Sequence, residues 1–214
     1  HYQDLLIERD GKGEPYHSTF KAAENSQDIL RRREAVQLGA RTCCGFPGAG
    51  AKFTGIDALH AITSLSRRMD KELGTSYAPR VESFRQACKD EDAAIAIAMT
   101  DVKGDRSLHA SKQKKHPDYY VRIVDETKEG IVVRGAKASI TIAPLCNEMI
   151  VHTCRALREE DKDYAVAFAI RPDTKGLKFI APCPEPVEER NYFDYPLLSR
   201  IYFADALVIF DDVF

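Results

Sequence analysis

The stretch "AAIAIAMTDVKGDRS", residues 93–107, marks the point at which the pattern of the chain changes. Its apolar run "AAIAIA" is typical of a buried strand. The run ends in a turn that gathers two acidic and two basic side chains around Gly104. Because helical patterns precede this stretch and strand patterns follow it, the sequence predicts an α+β fold.

Three segments before the stretch show helical periodicity. "SQDILRRREAVQLG", residues 26–39, begins with polar residues and is predicted to stop at its last glycine. Apolar residues at steps of three and four predict a second helix over residues 59–73, and "APRVESFRQACKDED" predicts a third over 78–92. We therefore expect an N-terminal helical domain over residues 1–92.

The segments after the stretch read as strands separated by polar or Gly/Pro turns such as "DETKEG" and "PDTKG". The predicted strands are "YYVRIVDE", "GIVVRGAKASITIA", "EMIVHTC", "YAVAFAIRP", "LKFIAP" and "ALVIFDD". They predict an antiparallel β-domain over residues 93–214, in which "PCPEPVEERNYFDYP" forms a long surface loop.

Composition excludes several classes of protein. The 214 residues include 31 Lys and Arg against 33 Asp and Glu, and this net charge of −2 argues against nucleic acid and membrane partners. No apolar stretch approaches the roughly 20 residues that cross a bilayer, and the start does not resemble a signal peptide. Six cysteines without a CxxC pair indicate reduced thiols, so a cytoplasmic protein is expected.

Two motifs that suggest a ligand have a simpler structural interpretation. "GFPGAGAKFT", residues 45–54, lacks the spacing of a nucleotide-binding phosphate loop and is predicted to be a loop between helices. Cys43 and Cys44 are adjacent and therefore point in different directions, which prevents both from binding one metal ion. Cys146 and Cys154, with the nearby His152 and Glu148, are predicted to form one wall of a sheet with buried thiols.

The charged turn at residues 99–106 has two interpretations. Exposed amides, Lys103 and Arg106 suit an anionic phosphate or the polar edge of a flavin ring, with hydroxyls from Thr100 and Thr141. Alternatively, it is a surface turn in which Asp105 and Arg106 pair locally. Spacing alone leaves both open.

Four motifs carry a resemblance to a known family: "AMTDVKGDRS", "YYVRIVDETKEGIVVRGAKASIT", "DKDYAVAFA" and "LVIFDDVF". In this order and spacing, they resemble the flavoprotein family of 4-hydroxybutyryl-CoA dehydratase and the large oxygenase component of 4-hydroxyphenylacetate 3-monooxygenase, and are nearer the dehydratase branch. The resemblance implies an acyl-CoA-dehydrogenase-like fold, with an N-terminal helical domain, a middle β-domain and a C-terminal helical bundle, assembled as a homotetramer. The chain begins with His and is expected to be a fragment that lacks the bundle.

The resemblance implies a role for the charged turn in binding FAD. The segment that lines FAD in relatives matches residues 97–106, and a threonine that contacts the same cofactor matches Thr141. The implied cofactor-binding residues are Met99, Thr100, Lys103, Gly104, Asp105, Arg106 and Thr141. Hydrogen-bond donors near the flavin pyrimidine edge would stabilise negative charge on the reduced ring.

The sequence departs from both branches in one loop. The dehydratase branch holds a [4Fe-4S] cluster with a CxxxC pair, but Ala49 and Phe53 stand at those positions when counted back from Gly55. An alternative register reaches only Cys44, so a cluster of that type is doubtful and no metal site is predicted. The hydroxylase branch fits no better, because small residues replace its substrate-binding Arg and Tyr, and Ile97 replaces a flavin-side His.

The resemblance leaves three functions open. The first is FAD-dependent dehydration or isomerisation of a CoA thioester. The second is 3-hydroxylation of a phenol such as 4-hydroxyphenylacetate by reduced FAD, with a separate flavin reductase as partner. The third is a non-catalytic flavin-binding subunit. His60 and Glu148 are candidate bases, but a lone histidine on an amphipathic helix is more often structural, so the catalytic residues are not identified.

Overall fold

The computed structural model describes residues 2–43, 45, 48–182, 191–194, 196 and 204–214. The chain divides into two compact units, residues 1–95 and 96–214. The division into folding domains at residues 92 and 93 stays a prediction. No helix in the described ranges is long and apolar enough to span a membrane.

The first unit contains helices and one small hairpin. Its helices are α1 (Tyr2–Leu6), α2 (Ser26–Thr42), α3 (Gly48–Leu73) and α4 (Ala78–Asp90). Strands β1 (Ile7–Arg9) and β2 (Pro15–His17) form the antiparallel hairpin, which the sequence patterns did not predict. Strands of three residues are too short to show a period of two.

The limits of α2 and α3 differ from the prediction. Asn25 caps the start of α2, because its side-chain oxygen accepts hydrogen bonds from the amides of Gln27 at 2.9 Å and Asp28 at 3.1 Å. The helix continues past Gly39, where a stop was expected, since a glycine inside a helix costs only about 1 kcal/mol. The loop predicted at 45–54 is also wrong in part, because α3 begins at Gly48.

Helix α3 packs closely on the last residue of the first unit. A Cβ at Gly55 would lie 2.0 Å from the carbonyl oxygen of Ile95, so only glycine permits this approach. Ile56 and Leu59 follow on the buried face of the same helix. The apolar repeat does not mark one buried face, because Leu65 and Leu73 of the same repeat are 46% and 69% exposed. The periodicity therefore predicts the helix correctly but not which of its residues face the core.

The second unit is built from antiparallel strands, as predicted. Strand β3 (Ile95–Ala98) leads into it, followed by β4 (Arg122–Glu126), β5 (Ile131–Thr141), β6 (Glu148–Val151), β7 (Phe168–Ile170), β8 (Leu177–Ile180) and β9 (Asp205–Val213). One sheet has the order β4-β5-β9-β8 and the other β3-β6-β7. The strand expected over 164–172 is shorter because Tyr164 ends a 3-10 helix, Glu159–Tyr164. Much of the predicted loop 182–196 lies outside the described residues.

A single apolar cluster includes side chains from both sheets of this unit. Phe168 and Phe210 meet edge to face, with their ring centroids 5.9 Å apart. Along β5, Val133, Gly135 and Lys137 alternate into the buried register. A lysine thus occupies a position where the pattern of the strand places an apolar side chain.

Candidate functional site

The charged turn is attached to β5 by its first residues. Thr100 accepts a backbone hydrogen bond at 2.8 Å from the amide of Ala138, and Asp101 forms an isolated β-bridge with Lys137. Asp101 is 5% exposed although it lies two residues from the exposed Met99. The turn therefore begins as a buried extension of the sheet and only then reaches the surface.

Lys137 fixes this attachment from inside the unit. Its Nζ donates to the Asp101 carboxylate at 2.5 Å, to the carbonyl of Met99 at 3.1 Å and to that of His152 at 2.9 Å. The side chain is 3% exposed. Burial lowers the pKa of Lys137 below its ordinary value, and the hydrogen bond to Asp101 opposes that shift.

Glycine is required at the tip of the turn. Gly104 has φ +54°, and a Cβ there would lie 2.4 Å from the Tyr119 ring and 2.5 Å from Oε1 of Gln113. Lys103, with φ +78°, also occupies the left-handed region. The tip is therefore tightly wound and packed against its neighbours.

Side chains from outside the turn hold its backbone in place. Oε1 of Gln113 accepts from the Asp105 amide at 3.0 Å, and Nε2 donates to the Asp105 carbonyl at 2.9 Å. The Tyr120 hydroxyl donates to the carbonyl of Lys103 at 3.1 Å, and Arg155 donates to that hydroxyl at 3.0 Å. The tip is thus exposed but well anchored.

The two basic side chains of the turn are not used by the fold. The Asp105 carboxylate accepts from the amide of Ser107 at 2.9 Å and from its hydroxyl at 2.7 Å, and these bonds lower the pKa of Asp105. Within the ranges that the structure describes, the side chains of Lys103 and Arg106 have neither a hydrogen bond nor an ion pair. The local Asp105–Arg106 pair of the surface-turn interpretation is therefore wrong.

Two threonine hydroxyls are also free to bind a ligand. Neither Thr100 nor Thr141 uses its hydroxyl for a hydrogen bond to another described residue. Thr141 is the last residue of β5, three residues beyond Ala138, which places it about 10 Å further along the strand at about 3.3 Å per residue. The structure therefore gathers Met99 to Arg106 in one turn and places Thr141 on the strand that supports it.

The two candidate bases lie in different units. In the first unit His60 lines a cavity of about 510 Å³, and its Nε2 lies 2.9 Å from the carbonyl oxygen of Thr19. A carbonyl only accepts, so Nε2 carries the proton and Nδ1 is the basic nitrogen of the neutral ring. Burial lowers the pKa of His60, which favours that neutral form. In the second unit Glu148 pairs with Arg171 at 3.6 Å.

The cysteines do not form one wall of a sheet. Cys146 is buried, which raises the pKa of its thiol to about 11, whereas Cys154 is exposed. Cys88 is buried in the first unit, and Cys43 follows the end of α2. Across the described ranges, no group of three or more His, Cys, Asp or Glu side chains is arranged to hold a metal ion. Cys44 and Cys183 lie outside those ranges, as do the side chains of residues 48–53.

Sequence reasoning missed the residues that support the turn. Lys137 carried a signal, because it is a charge in the inward register of β5, where Val133 and Gly135 precede it. Gln113, Tyr120 and Arg155 carried none, since their contacts depend on how distant segments pack.

Comparison with known proteins identifies the relatives of this chain. The family model described as 4-hydroxyphenylacetate 3-hydroxylase N terminal matches residues 1–214. The 4-hydroxybutyryl-CoA dehydratase/vinylacetyl-CoA-Delta-isomerase of Clostridium aminobutyricum is 35% identical over 219 residues, which cover 100% of this chain and 44% of the relative. The 4-hydroxyphenylacetate 3-monooxygenase oxygenase component of Thermus thermophilus is 33% identical, over 99% of this chain and 42% of the relative.

Solved structures of both branches share the fold. An archaeal 4-hydroxybutyryl-CoA dehydratase from N. maritimus superposes with a TM-score of 0.85 at 30% identity, over 99% of this chain and 42% of its own. The oxygenase component of 4-hydroxyphenylacetate 3-monooxygenase, complexed with FAD, gives 0.84 at 30% identity with the same coverage. These neighbours confirm the expected acyl-CoA-dehydrogenase-like fold. The chain spans less than half the length of the relatives described here.

Proposed function

Because this chain belongs to the 4-hydroxyphenylacetate 3-hydroxylase N-terminal family, we propose that it is part of an FAD-dependent enzyme. Relatives from both branches superpose on nearly all of its length, and one of them is a complex with FAD. The proposal places FAD at the charged turn and Thr141.

The available hydrogen-bond donors of the turn are the observation that carries this proposal. Lys103 and Arg106 have no partner among the described residues, although the backbone that carries them is firmly held. Because the backbone is already fixed, binding an anion orders only the two side chains and not the turn that carries them. The donor set fits a flavin cofactor, which carries phosphates and a polar ring edge.

Each residue of the turn has a distinct task in this proposal. Lys103 and Arg106 bind anionic groups of the cofactor, and the hydroxyls of Thr100 and Thr141 hydrogen-bond its polar edge. Met99 contributes exposed apolar surface, 43% exposed, beside these donors. Gly104 and Asp105 shape the turn, through the left-handed backbone and the hydrogen bonds to Ser107. FAD, when bound, supplies the electron-accepting ring.

The favoured reaction is dehydration or isomerisation of a CoA thioester. Support comes from the "TDVKGDR" and "GIVVRGAKA" motifs and from the dehydratase relative at 35% identity. Such a reaction removes a proton next to the thioester carbonyl and needs a base. The base is not assigned between the two candidates, His60 in the first unit, whose Nδ1 offers a lone pair, and Glu148 in the second, whose carboxylate pairs with Arg171.

Two other functions have support of their own. A relative at 33% identity is an oxygenase component, which favours phenol hydroxylation by reduced FAD supplied by a separate reductase. The unmatched CxxxC pair favours a flavin-binding subunit without catalysis. We also propose a cytoplasmic homotetramer, in which the cysteine pattern supports the compartment and the resemblance supports the tetramer. Light scattering after size exclusion tests its mass.

Absorption spectra and turnover of the full chain distinguish these functions. FAD uptake with conversion of 4-hydroxybutyryl-CoA supports the main proposal, and additional broad iron–sulfur absorption would show a cluster. FAD uptake with oxygen-dependent hydroxylation of 4-hydroxyphenylacetate by reduced FAD would replace it with the hydroxylase. Uptake without either reaction would favour the subunit, and a chain that binds no FAD contradicts all three.

A further inference from the structure

Lys137 connects three segments beneath the charged turn. Its three N–H donors reach Met99 and Asp101 in the turn and His152 beyond the end of β6. We propose that Lys137, paired with Asp101, is a positioning residue that holds Thr100 in the orientation needed to bind FAD. This inference rests on the proposed function, because it assigns the support of the same site.

The contacts of Lys137 lie on both sides of Thr100. The carbonyl of Met99 and the carboxylate of Asp101 both accept from Nζ, and the carbonyl of Thr100 accepts from the Ala138 amide at 2.8 Å. The backbone is therefore fixed before, at and after Thr100. These contacts leave its hydroxyl free while fixing the backbone from which the side chain extends.

A buried charge pair is an unusual way to fill this position. Val133 and Ile140, on the same strand, are buried apolar residues, and an apolar side chain at 137 would pack equally well in principle. An apolar side chain would leave the carbonyls of Met99 and His152 without this donor. β3 ends at Ala98 and β6 at Val151, so both carbonyls lie just beyond their strands. Directional bonds to strand ends favour a positioning role over simple stabilisation.

A double replacement separates positioning from stability. Lys137→Met and Asp101→Leu are each expected to lower the melting temperature of the full chain, because each leaves one buried charge unpaired. The double variant K137M/D101L is expected to recover most of that loss. Its dissociation constant for FAD is nevertheless expected to rise at least 10-fold, and its bound-flavin spectrum to differ from that of the unchanged chain.

The exposed pair Arg134–Asp212 provides the matched control. Arg134 lies on β5 like Lys137, and its Nη2 bonds the Asp212 carboxylate at 2.5 Å with both side chains 41–52% exposed. R134M/D212L should leave FAD affinity unchanged. If K137M/D101L keeps the wild-type FAD affinity and spectrum, the positioning role alone is overturned. If the unchanged chain does not bind FAD, the proposed function is overturned and this inference with it.

A conservative variant covers the case in which the double variant does not fold. Lys137→Arg keeps the positive charge, but a planar guanidinium cannot direct three donors from one nitrogen. We expect K137R to fold and to bind FAD several-fold more weakly. Wild-type affinity in a folded K137R would contradict the proposal.

Discussion

Two basic regions of this molecule use their charges differently. Around the cavity of the first unit, Lys21 pairs with Asp28 at 2.9 Å and Arg31 with Glu8 at 2.8 Å. In the turn of the second unit, the basic side chains have no such partner within the part of the chain that the structure describes. Cations that already pair with carboxylates stabilise local structure, whereas unpaired cations on a fixed backbone are available to a ligand.

The inner and outer parts of the turn show the same difference at smaller scale. Asp101 pairs with Lys137 in the interior, while Lys103 and Arg106 at the tip have no hydrogen bond or ion pair with another described residue. Changes to the inner part should therefore alter folding first, and changes to the outer part should alter ligand binding first. The following predictions test that division.

The largest effect is expected from Asp101→Leu, which leaves the ammonium of Lys137 buried and unpaired. The free energy of unfolding should fall by about 3–5 kcal/mol, measured by urea denaturation. Asp57→Ala is the control, because Asp57 pairs with Arg32 but is 63% exposed, and should cost about 1 kcal/mol or less. Equal losses in the two variants would contradict the distinction between buried and surface pairs.

Gly104→Ala should destabilise the turn next most strongly. The added methyl would meet Tyr119 and Gln113 at 2.4–2.5 Å, and overpacking of this kind costs about 1–3 kcal/mol in the free energy of unfolding. Gly13→Ala is the matched control, with φ +84° and no atom within 4 Å of its Cβ. It should lose only about 1 kcal/mol from backbone strain. If both glycines tolerate alanine equally, the tip is not tightly packed.

Thr141→Val should change ligand binding but not folding. Loss of one hydrogen bond worth about 0.5–1.5 kcal/mol corresponds to a roughly 3- to 10-fold weaker FAD affinity, measured by fluorescence titration. Thr174→Val removes a hydroxyl that donates to the nearby Arg171 carbonyl and should leave FAD affinity unchanged. Unchanged affinity in Thr141→Val would remove this residue from the site.

The smallest expected effect is on the pH dependence of stability, and it comes from His60 in the first unit. Burial lowers the pKa of His60 below 6.5, so the unfolded chain binds its proton more readily. The His60 contribution to stability is present above pH 6.5 and falls as the pH drops from there through the lowered pKa. His60→Gln, whose longer amide can still donate to the Thr19 carbonyl from the position of Nε2, should match the unchanged chain at pH 8 but show a shallower loss of stability on acidification. An identical pH profile in both proteins would show that His60 is not buried as a neutral ring.

The sequence predicted features that depend on local pattern. The switch at residues 93–107, the antiparallel strands and the presence of a helix over 59–73 all follow from periodicity. Which residues of that helix are buried did not follow, because Leu65 and Leu73 are exposed. The continuation of α2 past Gly39 did not, because the cost of one glycine is small beside the packing of a whole helix. The support of the turn by Gln113 and Tyr120 also escaped prediction, since these hydrogen bonds depend on tertiary packing.

The central claim is tested most directly by titrating the full chain with FAD before and after Arg106→Ala, and comparing the variant with Arg31→Ala. Arg106 is exposed and unpaired among the described residues, so its loss should change the free energy of unfolding by less than about 0.5 kcal/mol. It should weaken FAD binding by roughly 10-fold or more, because hydrogen bonds to charged groups are worth about 1.5–3 kcal/mol. Arg31→Ala should show the reverse, with lost stability and unchanged FAD affinity. Wild-type FAD affinity in Arg106→Ala would contradict the account.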